Sequence, residues 1–392
     1  MSTKFTKVRD LLTAETGGKS YKAHKYSLDA TERSNFDYET EQIQWKKMAE
    51  TAKHKKYVDL HSAYKKFAHN YEQILTYFLD GSRRVFKVDD IAYSNGSRSV
   101  IYPIIAGQIG IGCCKRVNKK LVPEQFERDI VLSVPDIADA DGNSKRGFFP
   151  ALAKKLNECT DLKRLGVNFS CVLPYSTSKN DDAKFEDKAT ACVQDRMIKR
   201  EKEIVAELVK KNKLGQDNYL IKDGSLEYRP TDELKKDSRE YKRFKHNYNW
   251  VLGVSKSFNS EVCLDMNGKP APGFIADLPL FHRTPVACYK NIDYLGDIQF
   301  AVWYLRLREQ NRTQSPFDGI VKVEKILVSE DEIGKGMNSD VVDMLSAYLI
   351  NERNPVCYGS DMRWANHIYP IYLTEAFVKS KYMSTESFLH LF

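Results

Sequence analysis

The stretch Ile74-Leu75-Thr76-Tyr77-Phe78-Leu79-Asp80-Gly81-Ser82-Arg83 decides how the chain is read. Apolar or β-favouring residues run from Ile74 to Leu79 into a single carboxylate, and Gly81 and Ser82 then break the run. The pattern predicts a buried strand that delivers Asp80 to its exposed carboxyl end. The same device recurs at Asn218-Tyr219-Leu220-Ile221-Lys222-Asp223-Gly224-Ser225-Leu226. Two strands that each end in Asp-Gly-Ser can bring Asp80 and Asp223 together at one edge of a sheet. Paired carboxylates at such an edge suit divalent cations, because hard cations want oxygen ligands. One copy of Asp-Gly-Ser is ordinary turn chemistry. The reading rests on the pair.

Outward from the second copy, residues 193–209 have a helical pattern. Met197, Glu201, Ile204, Val205 and Leu208 share one face at a 3.6-residue period. Glu201 is thus set within an apolar stripe, and an inward carboxylate is costly unless paired or metal-bound. Downstream of the first copy, Arg84–Val88, Ile91–Tyr93 and Ser99–Ile111 predict an antiparallel meander with a hairpin turn at Asn95-Gly96. Gly107, Gly110 and Gly112 lie inside that strand, in an order that is not the dinucleotide fingerprint, and there is no Walker loop.

Residues 1–36 are polar and predict a loose arm or short helices, whereas 38–75 predict a long helix. Tyr57, Leu60, Tyr64, Phe67, Tyr71 and Ile74 recur at spacings of three and four, and Lys53, Lys55, Lys56, Lys65 and Lys66 take the other face. Residues 133–190 are polar and irregular around the short apolar piece Val167–Leu173, which predicts an insertion. Further on, 232–248 form an amphipathic helix with Leu234, Tyr241, Phe244 and Tyr248 inward. The short strand Trp250–Lys256 follows, then strands near 283–290, 297–305 and 319–328. Asn338 or Ser339 caps a helix with Val342, Leu345 and Leu349 inward, and the final helix covers about 370–382.

The 392 residues allow one large α/β domain with insertions, or two or three domains. A net charge of +8 leans toward an anionic partner without specifying one. The 8 cysteines lack any Cys-x-x-Cys pair and fall mostly in apolar runs, which fits reduced thiols in a cytoplasmic protein. No apolar run approaches the ~18 residues of a membrane span, and the first residues carry no apolar core. No membrane association is expected.

Taken in order, several motifs resemble the NurA nuclease family. They are the strand into Asp80-Gly81-Ser82, the helix bearing Glu201, the strand Leu220–Leu226, then Gly253-Val254-Ser255-Lys256, and Tyr369-Pro370 with its terminal helix. They span roughly residues 74–380. The resemblance implies an RNase H-like mixed sheet flanked by helices, with residues 1–73 as an N-terminal arm and helical extension. Residues 74–392 would be the nuclease domain, with an insertion at about 133–190.

It also implies a manganese- or magnesium-dependent nuclease that cuts DNA as a homodimer, working with a HerA-like hexameric ATPase in end processing or antiphage defence. Asp80, Glu201 and Asp223 would be metal-binding carboxylates, and Lys256 would lie near the scissile phosphate. The family has a His on the last helix where this chain has Phe377, so Glu375 is taken as the fourth metal ligand, with His367 as the alternative. The chemistry is coherent: hydrolysis of a phosphodiester needs charge neutralised on entering and leaving oxygens, as two cations about 4 Å apart do. Two other readings remain at this point. One is an RNase H-like module that grips nucleic acid or an ATPase without cutting. The other is a structural α/β protein whose Asp-Gly-Ser copies are turns.

Overall fold

A computed structural model describes residues 7–29, 43–46, 49–54, 56–68, 73–95, 98–139, 147–178, 183–226, 238–258, 272–291, 298–310, 313, 315–355 and 364–392. The chain opens with α1 (Val8–Thr16), β1 (Lys19–Ser20), β2 (Tyr26–Ser27), β3 (Ile43–Lys46), β4 (Val58–Asp59) and α2 (His61–Ala68). A meander follows, built of β5 (Leu75–Asn95), β6 (Arg98–Val117) and β7 (Lys120–Pro135). Then come α3 (Phe148–Leu156), α4 (Thr160–Leu165), β8 (Cys171–Tyr175), the long α5 (Phe185–Lys210) and β9 (Tyr219–Asp223). The second half holds α6 (Arg239–Asn247), β10 (Val251–Ser255), α7 (Pro272–Ala276), β11 (His282–Arg283), β12 (Ala287–Asn291), β13 (Gln299–Arg306) and β14 (Ile320–Leu327). It ends with α8 (Glu330–Lys335), α9 (Ser339–Asn351), α10 (Tyr369–Lys379) and α11 (Thr385–Leu389).

The strands form one mixed sheet whose main path runs β3-β12-β13-β14-β10-β9-β5-β6-β7-β8. At its centre β5, β9 and β10 are parallel, so these neighbours share an orientation. Their buried residues are nearly continuous apolar runs (Tyr77, Phe78, Leu79; Tyr219, Leu220, Ile221; Val251, Leu252, Val254), as expected of strands covered on both faces. Helix α5 covers one face through Ala189, Val193, Met197, Ile204, Val205 and Leu208. Helix α10 covers the other, and a Cβ placed on Gly112 would lie 2.5 Å from Val378 Cγ2. Glycine is therefore required in β6 for α10 to lie this close to the sheet.

Several expectations need correction. Asp80 does not end its strand: β5 runs on to Asn95, merging the separate strands expected after it, with a register shift between Lys87 and Asp89. The sheet itself explains this, because β6 stays paired with β5 through Asp80, Gly81 and Ser82 and leaves no turn there. Among the described residues the long helix expected over 38–75 reduces to α2, with strands β3 and β4 ahead of it. Asp59 pairs across to His282, and its side chain accepts the backbone N–H of His61, so the helix cannot extend upstream. Tyr57 packs on Phe274, Tyr64 on Phe281 and Phe67 on Tyr348, which supplies the apolar spacing without one continuous helix. Tyr71 and Leu234 lie outside the described residues.

The expected insertion is woven into the fold. Its described part supplies β8, which pairs parallel with β7, and α3 and α4, whose Phe149, Leu152, Leu156 and Leu162 join α1 and β6 in a second core. Helix α10 is not the last element, since α11 packs Phe388 into the same core. The helix capped by Asn338, the hairpin between β5 and β6, and the strands near 297–305 and 319–328 are as expected. The strand expected over 283–290 is broken into β11 and β12 at 284–286, where Pro285 has no N–H and the Tyr304 N–H goes to the Thr284 hydroxyl. Among the described residues Cys113, Cys114, Cys159, Cys171, Cys192 and Cys288 are reduced thiols, and no helix is long and apolar enough to cross a membrane. Cys263 and Cys357 lie outside the described residues.

The close seat of α10 sets the first prediction. Gly112→Ala overpacks the contact with Val378 and costs about 1–3 kcal/mol. Gly215→Ala, with nothing within 4 Å of its added Cβ, serves as the near-neutral control. Urea unfolding of the two variants checks the difference.

Candidate active site

The centre forms where β9 and β10 stop and β5 continues. Strand β9 pairs with β5 up to Lys222 opposite Leu79, and β2 takes up the same edge only from Lys87 and Phe86. Between these points β5 has no strand partner on that side among the described residues. Asp80 and Gly81 stand at the head of this gap. Strand β9 ends at Asp223 because Gly224 turns the chain with φ +84, after which the Ser225 hydroxyl and the Leu226 N–H both donate to Glu324 Oε2 (2.8 and 2.7 Å). Lys256 follows Ser255 at the end of β10, with its carbonyl accepting from Asn366 Nδ2 at 2.7 Å.

Two helices complete the group from opposite faces. Asp80 pairs in register with Gly112, so it shares the face covered by α10, which brings Glu375. Gly81 points to the other face, where a Cβ would lie 2.2 Å from Glu201 Oε1 of α5. The glycine that the sequence suggests is a turn residue instead makes room for a carboxylate. Replacing it would displace Glu201.

The charges are only partly compensated. Lys256 Nζ lies 3.0 Å from Asp223 Oδ2 and 3.5 Å from Glu375 Oε2, and Lys379 Nζ lies 2.6 Å from Glu375 Oε1. Lys222 Nζ lies 3.2 Å from Glu201 Oε2 and donates to the carbonyls of Asp223 and Ser225. Asp80 and Glu201 are both buried, at 4% and 3% exposure, and Asp80 Oδ2 has no hydrogen-bond partner among the described residues. Burial pushes the Asp80 carboxyl well above its ordinary range, and the charges of Asp223, Glu375 and Glu201 push the same way, against Lys256. Burial also raises Glu201, opposed by Lys222. Burial alone would lower the Lys256 ammonium, but Asp223, Glu375 and Asp80 reverse this and raise it, so it stays charged.

Asp80, Glu201, Asp223, Lys256 and Glu375 are thus brought into one neighbourhood. A buried, unpartnered carboxylate oxygen beside further carboxylates is a donor set that fits a hard divalent cation. Their ligand atoms do not converge on one point in this arrangement. Among the described residues only Asp59, His61 and His282, elsewhere in the fold, place three ligand atoms within 4.8 Å of one another and could hold a metal ion. Mutual repulsion between these partly compensated carboxylates is a sufficient cause, with lysines interleaved among them. Phe377 packs edge-on against Phe126 (centroids 5.6 Å apart) and offers no ligand atom. His367 is buried with its ring stacked on Tyr372.

Two neighbours escaped the sequence reading. Lys222 compensates Glu201, and its signal was a lysine inside an otherwise apolar strand. Tyr382 lies beside Ser82 and Asp80, and burial pushes its phenol up to about 12. Nothing in the local sequence marks Tyr382.

No protein-family model matches this chain, and no curated protein matches it. Among solved structures it is similar to the crystal structure of the NurA nuclease from Sulfolobus solfataricus. The two share 13% identity over 81% of this chain and 82% of that chain, with a TM-score of 0.39. At that distance the similarity says nothing of activity.

The raised carboxyls fix a pH dependence for the metal-free protein. Folded Asp80 and Glu201 keep protons that the unfolded chain loses near the ordinary values of 3.8 and 4.5. Stability therefore falls as pH rises from those values through the raised ones. Asp80→Asn removes its share, so its melting temperature should fall less over that range and exceed that of wild type at neutral pH. Thermal melts in EDTA at a series of pH values check this.

Proposed function

We propose that this chain is a divalent-metal-dependent deoxyribonuclease that hydrolyses phosphodiesters at the Asp80, Glu201, Asp223 and Glu375 centre. One observation carries the reading: the buried Asp80 Oδ2 lacks a hydrogen-bond partner among the described residues while Asp223, Glu375 and Glu201 press on it with like charge. A group so arranged is held at a cost unless a cation relieves it. Asp80, Asp223, Glu201 and Glu375 would hold the cation, with manganese or magnesium as the ion. When bound, the cation neutralises phosphate charge and lowers the pKa of an attacking water.

The chain's own groups have distinct tasks. Lys256 stays protonated beside Asp223 and Glu375, and it can turn its charge to a phosphate oxygen as negative charge builds there. Lys222 holds Glu201 in the pocket left by Gly81 and fixes the end of β9 through the Asp223 and Ser225 carbonyls. The net charge of +8 favours a polyanionic substrate. The order of motifs supports action on DNA in the cytoplasm, as a homodimer with a HerA-like hexameric ATPase, in end processing or antiphage defence. An RNase H-like core belongs to the same proposal.

A second reading has its own observation. Phe377 is a packing residue at the place of the family's histidine, and Lys256 occupies Asp223 and Glu375. This favours a weak or inactive module that binds nucleic acid or an ATPase. Incubation of linear and circular DNA with manganese, magnesium or EDTA separates the two. The proposal expects cutting only with metal, reduced at least about 100-fold in Asp223→Ala, more than loss of an outer-shell partner costs. Lys256→Met should lower kcat by about 10²–10³ with less effect on KM. DNA retention without cutting, also in the presence of the ATPase, would leave the binding module.

A further inference from the structure

Away from the carboxylate centre, strands β4 and β11 pair antiparallel and set His282 directly opposite Asp59. His61, two residues on, begins α2 and turns its ring toward the same space, 5.7 Å from the His282 ring and nearly perpendicular to it. Asp59, His61 and His282 each offer a ligand atom within 4.8 Å of the others. We propose that Asp59, His61 and His282 form a second cation site, distinct in chemistry from the first, that takes a zinc-class divalent ion.

The donor set decides the class of ion. Two imidazoles and one carboxylate match zinc, cobalt or nickel, whereas magnesium and calcium favour all-oxygen sets. His282 Nδ1 lies 2.8 Å from the Leu280 carbonyl oxygen, which can only accept. Nδ1 therefore carries the proton and Nε2 presents its lone pair, the second-sphere arrangement that orients metal-binding histidines. Asp59 Oδ1 accepts the His61 backbone N–H at 2.8 Å and lies 2.7 Å from His61 Nδ1, which fixes both side chains in place. That turn accounts for Asp59 and His61 alone. It gives no reason for His282, brought from more than two hundred residues away, to face them.

The side chains of Asp59 and His61 are 64% and 46% exposed, so an ion can reach them without unfolding. Three protein ligands leave a fourth position for water or an incoming donor. The ion would tie β4 and the start of α2 to β11 at the sheet, and binding to the folded state alone raises stability.

The test is titration of the full-length, chelator-stripped protein with Zn2+ against a chromophoric indicator, and with Co2+ read by visible absorption. The partners are His61→Ala/His282→Ala, Asp59→Asn and Asp223→Ala. Asp59→Asn keeps an acceptor for the His61 N–H while removing a good ligand. Wild type and Asp223→Ala should bind Zn2+ alike and show the strong absorption of tetrahedral Co2+. The double-histidine variant and Asp59→Asn should bind at least about tenfold more weakly and lose the zinc-induced rise in melting temperature. Equal zinc affinity in all four proteins, with unchanged circular dichroism, would overturn the site. So would loss of zinc binding in Asp223→Ala alone.

Discussion

The mutual repulsion of Asp80, Glu201, Asp223 and Glu375 is the constraint around which the centre of this fold is arranged. Separately, each acid could be solvated or paired. Together, with Asp80 and Glu201 buried and one Asp80 oxygen unpartnered among the described residues, burial and like charge raise the proton affinity of Asp80 and Glu201, and the group draws in Lys222, Lys256 and Lys379. Lys222 answers the face of α5 and Lys256 answers the face of α10. Neither lysine reaches Asp80 Oδ2 by a hydrogen bond. The arrangement thus stores an unmet demand for positive charge at one point.

Geometry makes that demand possible. Parallel β5, β9 and β10 end their shared pairing at nearly the same level, and β5 then runs on beside an open edge. Consecutive residues of β5 serve opposite faces, so Asp80 looks toward α10 while Gly81 admits Glu201 from α5. Small residues at Gly81 and Gly112 let both helices approach. A methyl group at Gly112 would push Val378 of α10 off the sheet, and one at Gly81 would displace the Glu201 carboxylate.

Much of this was legible in the sequence. The two Asp-Gly-Ser strands announced Asp80 and Asp223 as neighbours, and the 3.6-residue period placed Glu201 inward. The places of Lys256 and Glu375 came from the family resemblance rather than from periodicity. What failed did so for tertiary reasons. The text Asp-Gly-Ser is the same at 80–82 and 223–225, yet one continues as strand because β6 pairs through it and the other turns because Gly224 takes a positive φ. The stripe from Tyr57 to Ile74 suggested a long helix, but pairing of β4 with β11 and the Asp59 turn interrupt it. His282 could not be joined to His61 from sequence, since only the β4–β11 register brings them together.

The most direct measurement is a crystal of the full-length protein soaked in manganese, with diffraction recorded at the manganese absorption edge. The account predicts an anomalous peak bounded by the carboxylates of Asp80 and Asp223, with Lys256 turned away from Asp223. Well-defined density for the same carboxylates with no peak there, and with Lys256 still bridging Asp223 and Glu375, would contradict it.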